Sequence, residues 1–354
     1  MNRLQKLAGP VTGGVPAGTP FYFKNMNSYL LLAVAGGVPM PKPFMTYDQQ
    51  IQKLRDKHLI VADEDSAKDI LRQIGYFTLI TGYKDLFKNP TTKNYRDGTT
   101  FQDILTLYRF DQDLRQLTLN HLLHVEQHIR SALSYAFCAS FGESQIAYTT
   151  VQNYQYTSRA NQTAINTLIQ KHLNRLLNNR TDYPYIEHYK TIHQNVPLWV
   201  LVNALTFGTV SKMYALFKPQ LQTVISREFD GINERQLGQI LEVLTVYRNV
   251  CAHGDRLFSY RCAKKDIPDL VLHRKLSIPR KGTQYIQGKR DYFAVVVSFR
   301  YLLPGEEFLI FKKHLSKLID RAVQNNSQVN EGELLRLMGM PSNWKRITAY
   351  KKTA

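Results

Sequence analysis

Two stretches of the chain carry apolar residues at helical spacing. The longer one, residues 101–141, contains no glycine or proline and is followed by Gly142. Its apolar positions recur every three or four residues, at Leu107, Phe110, Leu114, Leu117, Leu122, Val125, Ile129 and Leu133. This pattern predicts an amphipathic helix whose apolar stripe needs partner helices to cover it. Residues 237–251 show the same spacing and predict a second helix of this kind.

The remaining segments also favour helices. Short polar helices are predicted at residues 48–59 and 66–74. Residues 292–303 are rich enough in β-branched side chains to form a strand. A lone strand among helical segments would have no partner, so we interpret this segment as a helix too. The pattern therefore predicts an all-α helical bundle.

Composition divides the chain into regions. Residues 1–40 contain 6 Gly and 4 Pro without periodicity and are expected to be a disordered extension. An N-terminal helical segment is predicted at 41–100, a helical core at 101–260 and a basic C-terminal helical region at 261–354. Within the core, residues 148–195 are rich in Tyr, Asn, Gln and Thr and predict a polar insertion.

The charge balance indicates a polyanionic partner. The chain has 46 Lys and Arg against 28 Asp and Glu, a net charge of +18. Residues 255–354 hold 20 basic against 9 acidic residues. Nucleic acid or an anionic membrane surface would suit such an excess, although basic proteins also exist for solubility alone. We expect the RNA backbone to contact Lys264, Lys265, Arg280 and Lys281, and the tyrosines among basic residues in 148–195 to stack on bases.

Several classes of protein find little support. The three cysteines form no Cys-x-x-Cys pair, which argues against a zinc ribbon and favours a reducing compartment. No apolar run is long enough for a membrane span, so a cytoplasmic location is expected. Phosphate-binding glycine loops and common metal-hydrolase motifs are missing from the sequence. His121, His124 and His128 share one helix face, but no carboxylate lies on the same arc. We therefore predict neither a metal nor a cofactor.

The most informative short stretch is residues 247–255, Tyr-Arg-Asn-Val-Cys-Ala-His-Gly-Asp. A guanidinium at Arg248 can neutralise a phosphate, and an imidazole at His253 can move a proton near neutral pH, which together suffice to cleave RNA. On an ideal helix the two lie about 140° apart, whereas Asn249 and His253 share a face. Gly254 is expected just beyond the helix end, where a bend could aim the imidazole at the arginine.

The spacing alone is weak support. Arginine and histidine at similar separation also occur at Arg115 and His121, and chance explains about two such pairs in a chain of this composition. Arg248 could equally be a surface charge and His253 a histidine at a helix terminus. The residues by themselves leave this alternative open.

Several short motifs, in this order, resemble the Abi-like abortive-infection proteins, the AbiD/AbiF family of phage-resistance factors. The resemblance covers about residues 42–345 and includes Lys42-Pro43-Phe44, Ile74-Gly75-Tyr76, Gly82-Tyr83, Phe110-Asp111-x-x-Leu114-Arg115, Glu126-x-x-x-Arg130, Pro197-x-Trp199, Phe207-Gly208, Arg248-Asn249-x-Cys251-Ala252-His253 and Met338-Gly339-Met340-Pro341-x-Asn343-Trp344. The family's Arg-Asn-x-Cys-Ala-His element is regarded as a HEPN ribonuclease motif. Relatives commonly continue with His, Ser and Arg-Leu-Trp, whereas this chain continues with Gly254 and Asp255.

The resemblance implies a HEPN-like bundle, RNA as substrate and a homodimer that brings two motifs together. We therefore expect a cytoplasmic, metal-independent endoribonuclease of phage defence, with Arg248, Asn249 and His253 as catalytic residues and Glu126 and Arg130 supporting them. The alternatives are a non-catalytic RNA-binding or toxin-neutralising module and, less favoured, a DNA-binding regulator. The sequence leaves open whether an inhibitory RNA or protein partner restrains the protein.

Overall fold

The computed structural model describes residues 43–353, and their architecture is almost entirely helical. Fifteen α-helices lie in this part of the chain: α1 Tyr47–Arg55, α2 Glu64–Ile74, α3 Phe101–Phe141, α4 Gln145–Thr149, α5 Arg159–Thr167, α6 Asn174–Asn178, α7 Pro184–Ile192, α8 Leu198–Leu201, α9 Phe207–Leu216, α10 Pro219–Ser226, α11 Glu234–His253, α12 Val271–Lys275, α13 Tyr292–Leu302, α14 Gly305–Gln324 and α15 Glu331–Met338.

Short irregular helices and one hairpin complete the fold. The π-helical turns are Phe77–Thr81 and Leu168–Leu173, and the 3₁₀ turns are Lys84–Phe87, Val151–Asn153, Val202–Ala204 and Trp344–Thr348. Strands β1 Arg280–Lys281 and β2 Gln284–Tyr285 pair antiparallel, with Arg280 opposite Tyr285. The predicted all-α class is confirmed.

Helix α3 is the axis of the bundle, and its two ends are set by local chemistry. The Thr100 hydroxyl accepts the Asp103 N–H and the Asp103 carboxylate accepts the Thr100 N–H, a reciprocal cap that satisfies free donors at the helix start. Gly142 ends the helix at φ 85°, and its N–H donates to the Cys138 carbonyl. The predicted bounds of this helix are confirmed.

Helix α13 is the innermost helix. Every residue of it except Arg300 is buried, and it contacts α3, α11 and α14. A helix covered on all sides has no polar face, which explains why its sequence lacks a clear helical period. The Tyr292 hydroxyl lies 3.0 Å from the Thr118 hydroxyl of α3, so its polar end is satisfied inside the core. The predicted helix is confirmed here against the strand alternative.

The other long helices surround this centre. Helix α3 contacts α8, α10, α11 and α14, and α11 also contacts α9 and α10. The apolar stripe of α3 is thus covered by partner helices, as its pattern requires. Residues 50–354 form one compact unit, so the parts of the three predicted helical segments that lie within it share a single core. The other unit is residues 1–49, and the extension predicted at 1–40 lies outside the described residues.

The segment predicted as a polar insertion, residues 148–195, contributes to the core. Ile165, Leu173 and Ile186 are fully buried, and the Tyr148 and Tyr154 rings are 1% exposed. The Tyr148 hydroxyl donates to the Val196 carbonyl over 2.6 Å. These two tyrosines are structural, so they cannot stack on bases as the sequence suggested. No helix among residues 43–353 is long and apolar enough to cross a membrane.

Candidate active site

The candidate site lies at the C-terminal end of α11. A reciprocal cap starts this helix, in which the Asn233 side chain accepts the Gln236 N–H and the Gln236 side chain accepts the Asn233 N–H. Gly254 ends it with φ 72°, in the left-handed region that glycine enters without strain. The Gly254 N–H donates to Cys251 and the Asp255 N–H to Val250, the paired bonds of a glycine helix stop. His253 is therefore the last helical residue, as predicted.

Burial divides the motif into two faces. Tyr247, Val250 and Cys251 are buried and fix the helix to the core, while Asn249 and His253 are exposed on the opposite side. The Tyr247 hydroxyl donates to the Arg290 carbonyl over 2.9 Å, which ties this turn to the segment preceding α13. The expected shared face of Asn249 and His253 is therefore present and open to solvent.

Arg248 leans away from His253 and toward α3. Its Nε lies 3.8 Å from Glu126 Oε2, and its side chain is 35% exposed. Glu126 is buried, and its other oxygen accepts a hydrogen bond from Arg130, which also donates to the Leu205 carbonyl over 2.6 Å. Of the two residues expected to support the motif, Glu126 lies beside its arginine, and Arg130 contacts Glu126. A single buried carboxylate lies between two guanidinium groups.

Arg248 and His253 do not meet within one chain. The helix stays regular through His253, so the two side chains keep the separation of about 140° that an ideal helix gives. Among residues 43–353, no hydrogen bond or ion pair joins them. The bend that we expected at the helix end is absent, because the left-handed turn begins only at Gly254, beyond the imidazole. This expectation was wrong.

A second cluster, centred on Asp111, holds the segment that follows the motif. The Asp111 carboxylate is fully buried and accepts hydrogen bonds from the backbone N–H groups of Leu257 and Phe258, the latter over 2.7 Å. It also accepts from the Tyr83 hydroxyl and from Arg115, each over 2.7 Å. Burial, and next the adjacent carboxylate, raise the pKa of Tyr83, so the phenol remains a donor.

The Asp111 cluster contains the arginine of the other Arg/His pair at similar spacing, Arg115 and His121. Arg115 is used inside the cluster, where it also donates to the Asp255 carbonyl over 3.3 Å. His121, its partner at motif spacing, faces α14 instead. The cluster was missed from the sequence, although a signal existed: Asp111 interrupts the apolar stripe between Leu107 and Leu114. A carboxylate at a core position of a helix needs buried donors.

The sequence model of the Abi-like protein family matches residues 69–259, more than half of the chain. The chain belongs to the Abi-like protein family. The matched region includes the Glu126 and Asp111 clusters and ends directly after Phe258, the last backbone donor to Asp111. Membership supports a role in phage resistance by abortive infection. No curated protein and no solved structure matches the chain.

Two of the three cysteines of this Abi-like chain, Cys251 and Cys262, are buried in surroundings that disfavour a thiolate. Burial, and next the negative charge of Asp111, raise the pKa of the Cys251 thiol to about 12. Burial raises the pKa of Cys262 to about 11. A thiol reacts as its thiolate, which these two cysteines would not form near neutral pH. The cysteine of the Arg-Asn-x-Cys-Ala-His element therefore serves packing.

The basic residues expected to hold RNA are exposed, but two of the four have acidic partners. Lys265 Nζ lies 2.7 Å from Glu242 Oε2 on α11, and Arg280 lies 3.7 Å from Asp269. The Arg280 guanidinium also covers the Tyr285 ring at 4.1 Å. Lys264 and Lys281 are exposed. Among the tyrosines of residues 148–195, those exposed enough to stack on a base are Tyr156, Tyr183 and Tyr185.

Proposed function

We propose that this Abi-like protein is a metal-independent endoribonuclease whose active site contains Arg248, Asn249 and His253. The observation that carries the proposal is that the last turn of α11 has one buried side and one exposed side. Val250 and Cys251 anchor the turn in the core, while Asn249 and His253 are presented together to solvent. The partly exposed Arg248 lies next to Asn249 in the chain, so a polar amide, an imidazole and a guanidinium are all presented at one end of the helix.

The chemistry uses the nucleophile that RNA itself carries. The 2′-oxygen attacks the neighbouring phosphorus while an imidazole removes the hydroxyl proton. The bond between phosphorus and the 5′-oxygen breaks, and that oxygen receives a proton from a second acid. Arg248 stabilises the extra negative charge of the transition state. The products are a 2′,3′-cyclic phosphate and a 5′-hydroxyl, and DNA is not cleaved because it lacks the nucleophile.

Glu126 supports the proposal by what it does to Arg248. The carboxylate faces the Nε side of the guanidinium, which leaves the two terminal nitrogens for a phosphate. Arg130 fixes the carboxylate from the other side. A buried carboxylate between two arginines keeps the net charge of the cluster positive, as an anionic substrate requires. In this role Glu126 and Arg130 position Arg248 and touch no reacting atom.

A homodimer supplies what one chain lacks. The reaction is best served by a base and a separate acid, yet each chain offers one His253 at an exposed helix end. Within one chain this imidazole and Arg248 are turned apart. Two copies meeting through the exposed ends of α11 would bring both His253 side chains, and both arginines, to one cleft.

The RNA path follows the exposed face of α11. Glu242 and Asn249 are seven residues apart and lie within about 20° around the helix axis. Lys265, bound to Glu242, therefore lies along the same face that leads to Asn249 and His253. Lys264 beside it adds a second positive charge. Phosphates following this face would reach the proposed cleaving residues.

The test is cleavage of labelled RNA in the presence of EDTA. We expect wild type to cut, and His253→Ala and Arg248→Ala each to lose activity while melting at the wild-type temperature. Their losses should not add in the double variant, because the residues act in one step. His193→Ala, an exposed histidine on the C-cap of α7, and Arg235→Ala, at the opposite end of α11, are matched controls. Full activity in His253→Ala would remove the motif from the mechanism.

Analysis of the product ends tests the proposed reaction, and sedimentation tests the proposed dimer. A 2′,3′-cyclic phosphate end is expected, and substitution of deoxyribose at the cut position should block the reaction. RNA that binds without being cut would favour the binding-module alternative. A fully active monomer at assay concentration would contradict the shared cleft.

A further inference from the structure

His121 and His124 of α3 converge on one carboxylate of a distant helix. They are three residues apart and share a helix face. Glu307, in the first turn of α14, accepts on Oε1 from both rings: His121 Nδ1 is 3.0 Å away, and His124 Nδ1 contacts the same oxygen. One donor atom from each of the three residues lies within 4.8 Å of the others. The carboxylate that the sequence did not show beside these histidines therefore comes from α14.

The cluster is covered on one side and exposed on the other. His121 is buried, and its ring packs on Phe311 with 5.2 Å between centroids, one turn beyond Glu307. The His124 side chain is 55% exposed. The cluster thus has an apolar wall behind it and an open side through which an ion or a water molecule can enter.

The donor set has the chemistry of a transition-metal site. Two imidazole nitrogens and one carboxylate oxygen, with water in the fourth position, are ligands that Zn²⁺ takes. Around a tetrahedral ion with bonds of about 2.0–2.1 Å, donor atoms stand about 3.3 Å apart. The 3.0 Å contact between His121 and Glu307 would need to open only slightly.

We propose that His121, His124 and Glu307 bind one divalent transition-metal ion of the Zn²⁺ class and that this ion joins α3 to α14. The site is separate from the proposed cleaving residues, because His124 and Glu126 lie about 160° apart around α3. Its third ligand, Glu307, also lies beyond residues 69–259, the region that the family shares. The ion braces the bundle and takes no part in RNA cleavage.

The experiment is metal titration of protein purified without a histidine tag and stripped with chelator. We expect one Zn²⁺ per chain by calorimetry, the visible absorption of tetrahedral Co²⁺, and a rise in melting temperature when Zn²⁺ is added. His124→Ala and Glu307→Gln should lose all three signals. His128→Ala is the matched control, since its ring packs on Phe229 at 4.7 Å and lies outside the cluster, and it should bind as wild type does.

Two results would overturn the proposal. One is wild-type protein that takes up no metal, which would make the cluster a hydrogen-bonded clasp. The other is stoichiometric binding retained by both His124→Ala and Glu307→Gln. RNA cleavage is measured separately, below the melting temperature of the stripped protein. A protein that binds zinc but does not cleave RNA would contradict only the proposed function. A protein that cleaves RNA but binds no zinc would contradict only the metal site.

Discussion

Gly254 and Gly339 end two helices with the same left-handed backbone, but only one of them has room for a side chain. Gly339, after α15, has φ 68°, and a Cβ atom there would lie 2.1 Å from Asp291 Cγ. Gly254 has φ 72° and no atom within 4 Å of that position. The glycine of the Met-Gly-Met-Pro motif is thus required by a close approach as well as by its backbone angle.

A pair of substitutions separates these two requirements. Gly254→Ala should destabilise the protein by about 1 kcal/mol, the cost of the left-handed region alone. Gly339→Ala should destabilise it far more, because Asp291 is buried and cannot move aside. Thermal melting of both variants against wild type measures the difference. Equal losses would show that the backbone angle is the only constraint at Gly339.

Asp291 predicts an unusual dependence of stability on pH. Burial raises the pKa of its carboxyl to about 6 from an ordinary 3.8, while Arg261, 3.4 Å away, opposes the shift. Between these pH values the unfolded chain releases a proton that the folded protein keeps. The contribution of Asp291 is therefore full below about pH 4 and is lost as pH rises through 6.

Comparison with Asp291→Asn isolates this effect, because other carboxyl groups cancel in the difference. From pH 7 to pH 5, the wild type should gain stability relative to the variant, by an amount on the order of 1–2 kcal/mol. Denaturant unfolding at the two pH values provides the measurement. A difference that stays constant, or that reverses sign, would mean that Asp291 is ionised in the folded protein throughout this range.

At the scale of elements, the Asp111 cluster connects α3 to the end of α11. Removing one member of a buried ion pair leaves the other unpaired, so Asp111→Asn should cost about 3–5 kcal/mol. Leu257 and Phe258 would also lose an ionic acceptor, which should loosen the segment after His253 and reduce RNA cleavage. Unfolding in denaturant, together with the cleavage assay, tests both effects.

The matched control lies two residues away on the same helix. Asp113 pairs with Arg321, and the two side chains are 39% and 59% exposed, unlike the fully buried Asp111. Solvent screens such a pair, so Asp113→Asn should cost less than about 1 kcal/mol and leave cleavage unchanged. If Asp113→Asn cost as much as Asp111→Asn, burial would not explain the importance of this cluster.

The elements that sequence predicted well are those defined by neighbouring residues. The ends of α3 follow from Thr100 with Asp103 and from Gly142, and the end of α11 follows from Gly254, all within a few positions of the helix they limit. Contacts across the chain could not be predicted in this way. Glu307 is 183 residues from His124, and no local pattern places them together.

In the candidate site too, local features could be predicted from the sequence and long-range contacts could not. Helical spacing predicted that Asn249 and His253 share a face, because this depends only on the helix. It could not predict that Arg248 turns to Glu126, since that depends on how α11 crosses α3. Burial of Tyr148 and Tyr154 was missed for a related reason: a polar composition does not reveal which rings the fold covers.

At the scale of the whole molecule, the net charge of +18 should make RNA binding steeply dependent on salt. Reversing Lys264 and Lys265 together should weaken binding for all RNA sequences alike and flatten the salt slope by about one for each phosphate that is no longer neutralised. The rate at saturating RNA should change little, because neither lysine is placed at the reacting phosphate. Filter binding at several salt concentrations measures the slope.

Reversal of Lys313 and Lys317 on α14 is the comparison. Together with Lys345, these lysines line a shallow basic depression. It lies on α14, whereas the proposed RNA path follows α11. We expect this double variant to keep most of the salt dependence of wild type. A larger effect there than at Lys264 and Lys265 would move the RNA path from α11 to α14.

The position of α13 in the chain has a consequence for synthesis. The innermost helix, Tyr292–Leu302, is translated after α3 and α11, whose apolar faces it covers. Until the ribosome has passed it, those faces have no inner partner and the bundle cannot close. A stop codon before Tyr292 should therefore yield an unfolded chain that cellular proteases remove. For the ribonuclease proposed above, this order of synthesis delays RNA cleavage until α13 has been made.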